Sequence, residues 1–237
     1  MEWDPQIISG MLNLKGLNKG VKVVKRIDFT LYAITDRSFI KGMDIAEAVE
    51  IAIKNGVTVV QLREKDISSR EFYEIALKVR EVTRKYNVPL IINDRVDIAL
   101  AVDAEGVHVG PDDLPVGVVR KILGPDKIVG GSAYSVEEAV RAEKEGADYI
   151  GAGSVFAQPV KPEAEVIGIE GVRKIKEAVS IPVVAIGGVN KTNAYEVILH
   201  SGVDGISAIA GIFDGDIEAN TKDMLREIRR AFKERGK

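Results

Sequence analysis

The chain of 237 residues contains no cysteine and only two histidines, and both shortages restrict its chemistry. Without cysteine there are no disulfides, thiolate nucleophiles or thiolate metal ligands. With only His108 and His200 available, a metal centre built from several histidines is excluded, and a serine–histidine–aspartate triad could use only one of them. Any catalysis would therefore depend on carboxylates, amines, guanidinium groups, amides and hydroxyls.

Excess positive charge and long apolar runs are also missing. The net charge is −3 at pH 7, so no general basic field exists to neutralise the phosphates of a nucleic acid. No apolar run approaches the ~20 residues that span a bilayer, and the first 25 residues lack the continuous apolar core of a signal peptide. These patterns predict a cytoplasmic protein that binds neither nucleic acid nor membrane.

Short apolar, β-branched runs alternate with longer amphipathic segments along the chain. Eight of these runs begin near Phe29, Val57, Pro89, Gly106, Lys127, Ala147, Ile181 and Val203. Eight βα units of ~20–30 residues, with strands too apolar to be half-exposed, favour a single closed (β/α)8 TIM barrel over the alternative, a doubly wound open sheet. We assign residues 28–237 to this catalytic barrel and residues 1–27 to an N-terminal arm or helix packed on it. The polar segment 214–237 is predicted to be the closing helix.

Capping signals mark several helix boundaries. Three predicted helix starts have the spacing of a capping box, with a glutamate three residues on: Asp44, Ser68 and Ser135. Asn190 is expected to cap the seventh helix. Three helices are followed by a glycine expected to end them in the left-handed conformation: Gly56, Gly146 and Gly202.

Residues 59–65, Val-Val-Gln-Leu-Arg-Glu-Lys, are typical of a buried strand with polar groups at its end. Side chains alternate across a strand, so Gln61, Arg63 and Lys65 share one face while Leu62 and Glu64 share the other. Burial of two cations and an amide at the end of a strand costs desolvation free energy unless an anion pairs with the cations. A bound substrate and a structural salt bridge to Arg63 both remain open from this segment alone.

Two carboxylates are predicted at neighbouring strand ends, where barrel enzymes place their active sites. Asp94 ends the third strand, and Asp113 lies on the loop after the fourth. Each alone is more simply a helix cap or a turn residue. Together with Arg63 and Lys65 they favour a Mg²⁺–pyrophosphate site, because Mg²⁺ takes one or two carboxylates plus phosphate oxygens.

Glycines follow the seventh and eighth strands at positions 187–188 and 211. Loops at these positions of a barrel frequently bind phosphate through backbone N–H groups, and tight turning without a ligand is the alternative. His108 alternates with apolar neighbours and is interpreted as a packed barrel residue, and Tyr149 is interpreted as a core or surface anchor.

Several motifs in one order resemble the thiamine phosphate synthase family, which is related to thiazole tautomerase. They occupy residues 32–36, 61–65, 92–97, 106–110, 146–151 and 185–188, and the similarity runs from about Phe29 to Phe213. The resemblance implies a transferase of thiamine biosynthesis. It would join 4-amino-2-methyl-5-(diphosphooxymethyl)pyrimidine to a thiazole ethyl phosphate, with Mg²⁺ as cofactor assisting the departure of pyrophosphate.

The resemblance also implies roles for individual residues. Arg63, Lys65 and Ser132 would be catalytic, and Asp94 and Asp113 would bind the metal. The implied substrate-binding residues are Tyr32, Gln61, Leu62, Arg63, Glu64, Lys65, Asn93, Ser132, Lys161, Gly188, Ile209 and Ala210.

One segment departs from the family pattern Gly-Pro-Val-Phe-Pro-Thr-x-Thr-Lys. Residues 153–161 read Gly-Ser-Val-Phe-Ala-Gln-Pro-Val-Lys, so Gln158 and Val160 replace both threonines. Two alternatives are a thiazole tautomerase-like isomerase and a non-catalytic homologue that binds a phosphate ligand. Tyr134 stands where the tautomerase usually has a histidine, which counts against the first. The sequence leaves a monomer and a homo-oligomer both open.

Overall fold

The barrel predicted from the sequence is present in the computed structural model, which describes residues 27–158 and 165–236. Eight parallel strands pair in chain order, and the last pairs with the first to close the barrel. They are β1 (Leu31–Ile34), β2 (Val59–Leu62), β3 (Leu90–Asn93), β4 (Gly106–Val109), β5 (Ile128–Ala133), β6 (Tyr149–Ala152), β7 (Val183–Ala185) and β8 (Gly205–Ala208). Each begins within two residues of its predicted start, and closure excludes the open sheet.

Helices follow each strand along the chain. They are α1 (Ile45–Lys54), α2 (Ser69–Lys85), α3 (Val96–Ala101), α4 (Val116–Leu123), α5 (Val136–Lys144), α6 (Gly168–Ala178), α7 (Ala194–Ser201), α8 (Ala210–Phe213) and α9 (Ile217–Arg235). Helix α9 confirms the predicted closing helix. The predicted N-terminal arm lies outside the described residues, except for Ile27.

Alternation along each strand divides the apolar side chains into two layers. On β1, Leu31 and Ala33 pack outward against the helices, whereas Tyr32 and Ile34 point into the barrel. Burial of a leucine-sized side chain stabilises a fold by about 1.5–3 kcal/mol. The outer layer is much the larger of the two, so it supplies most of this stabilisation.

The predicted helix starts at three positions are confirmed by side-chain hydrogen bonds. The Asp44 carboxylate accepts from Ala46 N–H, and the hydroxyls of two serines accept from the N–H three residues on. These serines are Ser68 and Ser135. Such bonds satisfy backbone donors that have no partner within the first helical turn.

The predicted start of α7 at Asn190 is wrong. The N-cap residue of α7 is Asn193, and the Asn190 side chain instead accepts from the backbone N–H and the hydroxyl of Thr192. This local turn delays the helix by three residues. All three glycines predicted to end helices have positive φ: Gly56, Gly146 and Gly202.

Candidate active site

A cavity of about 790 Å³ opens at the carboxyl ends of the strands. Its wall contains residues from the ends of all eight strands, including most of the polar residues singled out in the sequence. They are Gln61, Arg63, Lys65, Asn93, Asp94, Asp113, Ser132, Gly188, Ile209 and Ala210. The barrel therefore brings together segments that are up to 150 residues apart, as expected for a site of this fold.

The two cations after β2 are each paired with a carboxylate on a neighbouring strand end. Arg63 Nη1 lies 2.6 Å from Asp36 Oδ2, and Lys65 Nζ lies 2.6 Å from Asp94 Oδ2. The structural salt bridge considered for Arg63 is thus real, but its guanidinium also faces the cavity. Lys65 keeps 51% of its side chain exposed and Arg63 keeps 23%, so both cations remain accessible to an anion.

Asp94 and Asp113 lie close enough for their carboxyl groups to interact directly. Burial raises the pKa of Asp113, and the hydrogen bond and charge of Asp94 raise it further. Asp94 has a φ of +61°, a left-handed conformation that aspartate tolerates better than most residues. It is not the cap of α3, because that position belongs to Arg95, which makes no capping side-chain bond. Asp113 also holds a turn, since its Oδ2 accepts from Gly110 N–H at 2.8 Å.

The opposite wall of the cavity is rich in glycine and backbone. Gly187 and Gly188 follow β7 with φ of +100° and +65°, and a Cβ on Gly188 would meet Phe156 Cβ at 2.8 Å. The chain therefore packs too closely here for other residues. Ile209 and Ala210 complete this wall, and Ser207 lies at its base with a buried hydroxyl that has no hydrogen-bond partner among the described residues.

Five polar side chains form a continuous set of hydrogen bonds through the barrel, which we call the interior network. Gln61 Nε2 donates to Tyr32 Oη at 2.7 Å, and Tyr32 Oη lies 2.8 Å from Tyr149 Oη. Tyr149 Oη lies 3.0 Å from His108 Nδ1, whose ring continues through Nε2 to Ser132 Oγ at 2.9 Å. Burial lowers the pKa of His108 to about 4, so the ring is neutral at pH 7. Burial raises the pKa of both tyrosines, which therefore keep their protons.

Three of the predicted substrate-binding residues do not line the cavity. Leu62 is fully buried in the outer layer, and Glu64 is buried on the same face against Arg37. Burial raises the pKa of Glu64. This geometry does not support contact between either side chain and a substrate, because alternation directs them away from the barrel axis.

Tyr32 fails to reach the cavity for a different reason. Its neighbour Ile34 is the register partner of Gln61, so Tyr32 lies two residues deeper, about 7 Å along the strand. It is 1% exposed and belongs to the interior network instead of the cavity wall. The predicted contact with a substrate is therefore not supported for Tyr32.

Three positions in the departing segment, Pro159, Val160 and Lys161, lie outside the described residues, while Gln158 lines the cavity. Sequence reasoning overlooked Ser207 and Asp36, and it treated His108 only as packing. Ser207 could have been found by alternation, since it faces inward between Ile206 and Ala208. No pattern in the sequence indicated that Asp36 pairs with Arg63.

Among the described residues, no group of three or more histidine, aspartate or glutamate side chains could hold a metal ion. Among these residues, Asp94 and Asp113 form an interacting pair of carboxylates beside Lys65 that could donate to a cation. Across residues 27–158 and 165–236, no helix combines the length and hydropathy needed to cross a membrane.

Comparison with known proteins identifies the family. Residues 31–212 match the family model described as thiamine monophosphate synthase. The chain belongs to the thiamine monophosphate synthase family. A thiamine-phosphate synthase of Caldanaerobacter subterraneus subsp. tengcongensis is 97% identical over 214 residues, covering 90% of this chain and 100% of that protein. The thiamine-phosphate synthase of Clostridium novyi is 58% identical over 200 residues, covering 84% and 98% of the two chains.

A solved structure supports the same assignment. The thiamine phosphate pyrophosphorylase from Pyrococcus furiosus superposes with a TM-score of 0.80 at 47% identity, covering 87% of this chain and 98% of that one. These comparisons confirm three predictions made from the sequence: the family, the TIM barrel, and a transferase that is a thiamine-phosphate synthase.

Proposed function

We propose that the two walls of the cavity divide the substrates of thiamine phosphate synthesis between them. The polar wall at the ends of β2 to β5 binds the pyrimidine diphosphate, and the glycine-rich wall after β7 and β8 binds the thiazole ethyl phosphate. The observation that carries this proposal is the convergence of Arg63, Lys65, Asp94 and Asp113 on one wall. With a divalent cation on the two carboxylates, such a cluster would have a net positive charge and favour a ligand with several negative charges.

We propose Mg²⁺ as the cofactor, held by Asp94 and Asp113. The pair fits the ion, because two adjacent carboxylates repel each other unless a proton or a cation lies between them. Mg²⁺ usually takes only one or two protein carboxylates and completes its shell with water and phosphate oxygens. When bound, the ion would neutralise part of the negative charge on the diphosphate.

The residues of the polar wall stabilise the leaving group in this reaction. The bond between the pyrimidine methylene carbon and the diphosphate oxygen breaks, and its electron pair leaves on pyrophosphate. Arg63 and Lys65 are positioned before reaction to meet the charge that develops there. The thiazole nitrogen then donates its lone pair to the methylene carbon and forms the new C–N bond. No protein nucleophile is needed, in keeping with a chain that has no cysteine.

Asn93 and Ser132 complete the binding of the pyrimidine diphosphate in this proposal, and Gln61 contacts the pyrimidine. The thiazole phosphate is held by the backbone of Gly188, Ile209 and Ala210, as the close packing of that wall allows. The role implied for Lys161 in phosphate binding stays a prediction. The cytoplasmic location also stays a prediction, and a homo-oligomer stays an alternative to a monomer.

Product inhibition tests the division of the cavity without altering the protein. Inorganic pyrophosphate with Mg²⁺ should compete with the pyrimidine diphosphate, and inorganic phosphate should compete with the thiazole phosphate. Each should act non-competitively toward the other substrate. Competition of both anions with the same substrate would contradict the assignment of one wall to each.

A further inference from the structure

The interior network joins two side chains of the cavity wall that lie on different strands. Gln61 extends from β2 and Ser132 from β5, and the three residues between them are buried or half-buried inside the barrel. These are Tyr32, Tyr149 and His108. Because a hydrogen bond has a donor end and an acceptor end, a continuous network can couple the orientations of the groups at its two ends.

The direction of the network follows from its first bond. The Gln61 amide donates to Tyr32 Oη, and the Tyr32 hydroxyl has one proton of its own. Since Tyr32 is 1% exposed, that proton needs a protein acceptor, and the Tyr149 hydroxyl at 2.8 Å supplies it. Tyr149 must then donate its own proton to His108 Nδ1 at 3.0 Å.

The second half of the network follows from the role of Nδ1 as the acceptor for Tyr149, which only an imidazole without a proton on Nδ1 can fill. With Nδ1 accepting, the ring carries its single proton on Nε2, which donates to Ser132 Oγ at 2.9 Å. The Ser132 hydroxyl proton is then directed to the cavity. At the other end, Gln61 uses its amide nitrogen inside the barrel and is left with its carbonyl oxygen as an acceptor for the cavity.

We propose that Tyr32, Tyr149 and His108 are positioning residues that fix Gln61 as an acceptor and Ser132 as a donor toward the pyrimidine. An aminopyrimidine matches this pattern, because its amino group donates and its ring nitrogens accept. A 4-oxo pyrimidine does not match, since it offers an acceptor where the amino group was. The inference rests on the proposed function and adds the basis for recognition of the amino group.

Two glycines provide space for the network. A Cβ on Gly130 would meet Tyr149 Oη at 2.5 Å, and a Cβ on Gly151 would lie 3.1 Å from His108 Cε1. Only bare backbone at 130 therefore admits the Tyr149 ring at its observed position. This close packing limits the orientations of the rings and so helps to hold the direction of the network.

The tautomer of His108 tests the proposal without any assay of activity. The chain has only two histidines, so a long-range ¹H–¹⁵N spectrum of the whole protein has two ring systems, and His200→Gln assigns them. We expect His108 to be neutral with its proton on Nε2 at pH 7. A proton on Nδ1 would reverse every bond of the network and overturn the proposal.

Tyr149→Phe tests the consequence for recognition. Without the Tyr149 hydroxyl, Tyr32 should turn its proton toward Gln61, whose amide then flips and presents its nitrogen to the cavity. The probes are the 4-amino and 4-oxo forms of the hydroxymethylpyrimidine monophosphate, used as competitive inhibitors. The wild-type protein should bind the 4-amino form more tightly than the 4-oxo form. In the variant, the ratio of the two inhibition constants should fall about tenfold.

Tyr86→Phe is the matched control, because it removes a tyrosine hydroxyl that bonds to Glu50 outside the barrel. It should keep the wild-type preference. An unchanged preference in Tyr149→Phe, with thermal unfolding showing a folded protein, would contradict the proposal. A wild-type protein that makes no thiamine phosphate yet shows the expected tautomer and preference would overturn the proposed reaction alone.

Discussion

The ammonium nitrogen of Lys65 lies 2.6 Å from a carboxylate oxygen of Asp94. This ion pair joins the end of β2 to the end of β3 at the wall of the cavity. Exposed pairs of this kind contribute little to stability, about 0–1 kcal/mol. Its significance is positional, because it places a cation and a carboxylate side by side where a metal–diphosphate group would need both.

Replacement of Asp94 or Asp113 by asparagine should weaken the binding of magnesium. Each loss removes a charged oxygen ligand, so the Mg²⁺ concentration for half-maximal activity should rise at least about tenfold. Chelation of divalent ions should abolish activity in the wild-type protein. Titration of initial rates with Mg²⁺ gives both results.

Asp97→Asn is the control for these carboxylates, since Asp97 lies on α3 in an exposed pair with Arg95. It should leave the magnesium dependence unchanged. The loss of magnesium affinity in the double variant of Asp94 and Asp113 should be far smaller than the sum of the losses in the two single variants, because the two side chains bind one ion. A wild-type magnesium response in either single variant would count against the proposed metal site.

Arg63→Ala should lower kcat/KM by about 100-fold or more, because it removes a preorganised donor from the developing pyrophosphate. The exposed Arg173 on α6 is paired with two glutamates away from the cavity, and Arg173→Ala is the control. Steady-state kinetics with the pyrimidine diphosphate varied measure the effect. A loss of less than threefold would show that Arg63 serves mainly its salt bridge with Asp36.

Ser207→Ala should raise the KM for the thiazole phosphate about three- to tenfold while the KM for the pyrimidine diphosphate stays constant. Within residues 27–158 and 165–236 the buried Ser207 hydroxyl has no hydrogen-bond partner at the base of the glycine-rich wall, so a substrate atom is the expected partner. Its removal should not destabilise the fold.

Ser201→Ala is the control, because we expect it to change the stability of the fold and neither KM. Ser201 is equally buried, but its hydroxyl donates to the carbonyl of Val197 at 2.6 Å. Its loss should cost about 1 kcal/mol of unfolding free energy with no effect on either KM. Equal behaviour of the two serine variants would remove Ser207 from the site.

His108 should make the stability of the protein depend on pH. The pKa is about 4 in the folded state and 6.5 in the unfolded state, so below pH 6.5 the unfolded chain binds a proton that the folded protein does not. When the pH is lowered from 7 to 5, this group should therefore lower the unfolding free energy of the wild-type protein by about 2 kcal/mol.

His108→Gln provides the comparison, because it removes the titrating ring. Its unfolding free energy, measured by urea denaturation, should fall about 2 kcal/mol less than that of the wild-type protein over the same range. Above pH 7 the two proteins should show parallel pH dependence. Parallel curves down to pH 5 would mean that the folded His108 takes up a proton readily.

The fold and one face of the site could be predicted because both follow from periodicity. Alternation alone placed Gln61, Arg63 and Lys65 toward the barrel axis, and the structure confirms that all three line the cavity. The same rule directs Leu62 and Glu64 outward, so their inclusion in the substrate-binding set conflicted with the geometry of the strand itself.

Contacts between strands could not be predicted from periodicity, because they depend on register. The depth of Tyr32 follows from the pairing of Ile34 with Gln61, which no local pattern records. His108 shows a second limit: an inward-facing residue among apolar neighbours has the same pattern whether it only packs or joins a polar network. The network became visible only when Tyr149 and Ser132 were found on either side of its ring.

A single assay with the purified protein tests the proposed reaction. The pyrimidine diphosphate, the thiazole ethyl phosphate and Mg²⁺ are supplied together, and thiamine phosphate and pyrophosphate are measured over time. We expect both products in equal amounts. Chelation of the metal should abolish their formation, and Arg63→Ala and Asp94→Ala should nearly abolish it. Failure of the wild-type protein to form thiamine phosphate, or full activity in both variants, would contradict the proposed reaction.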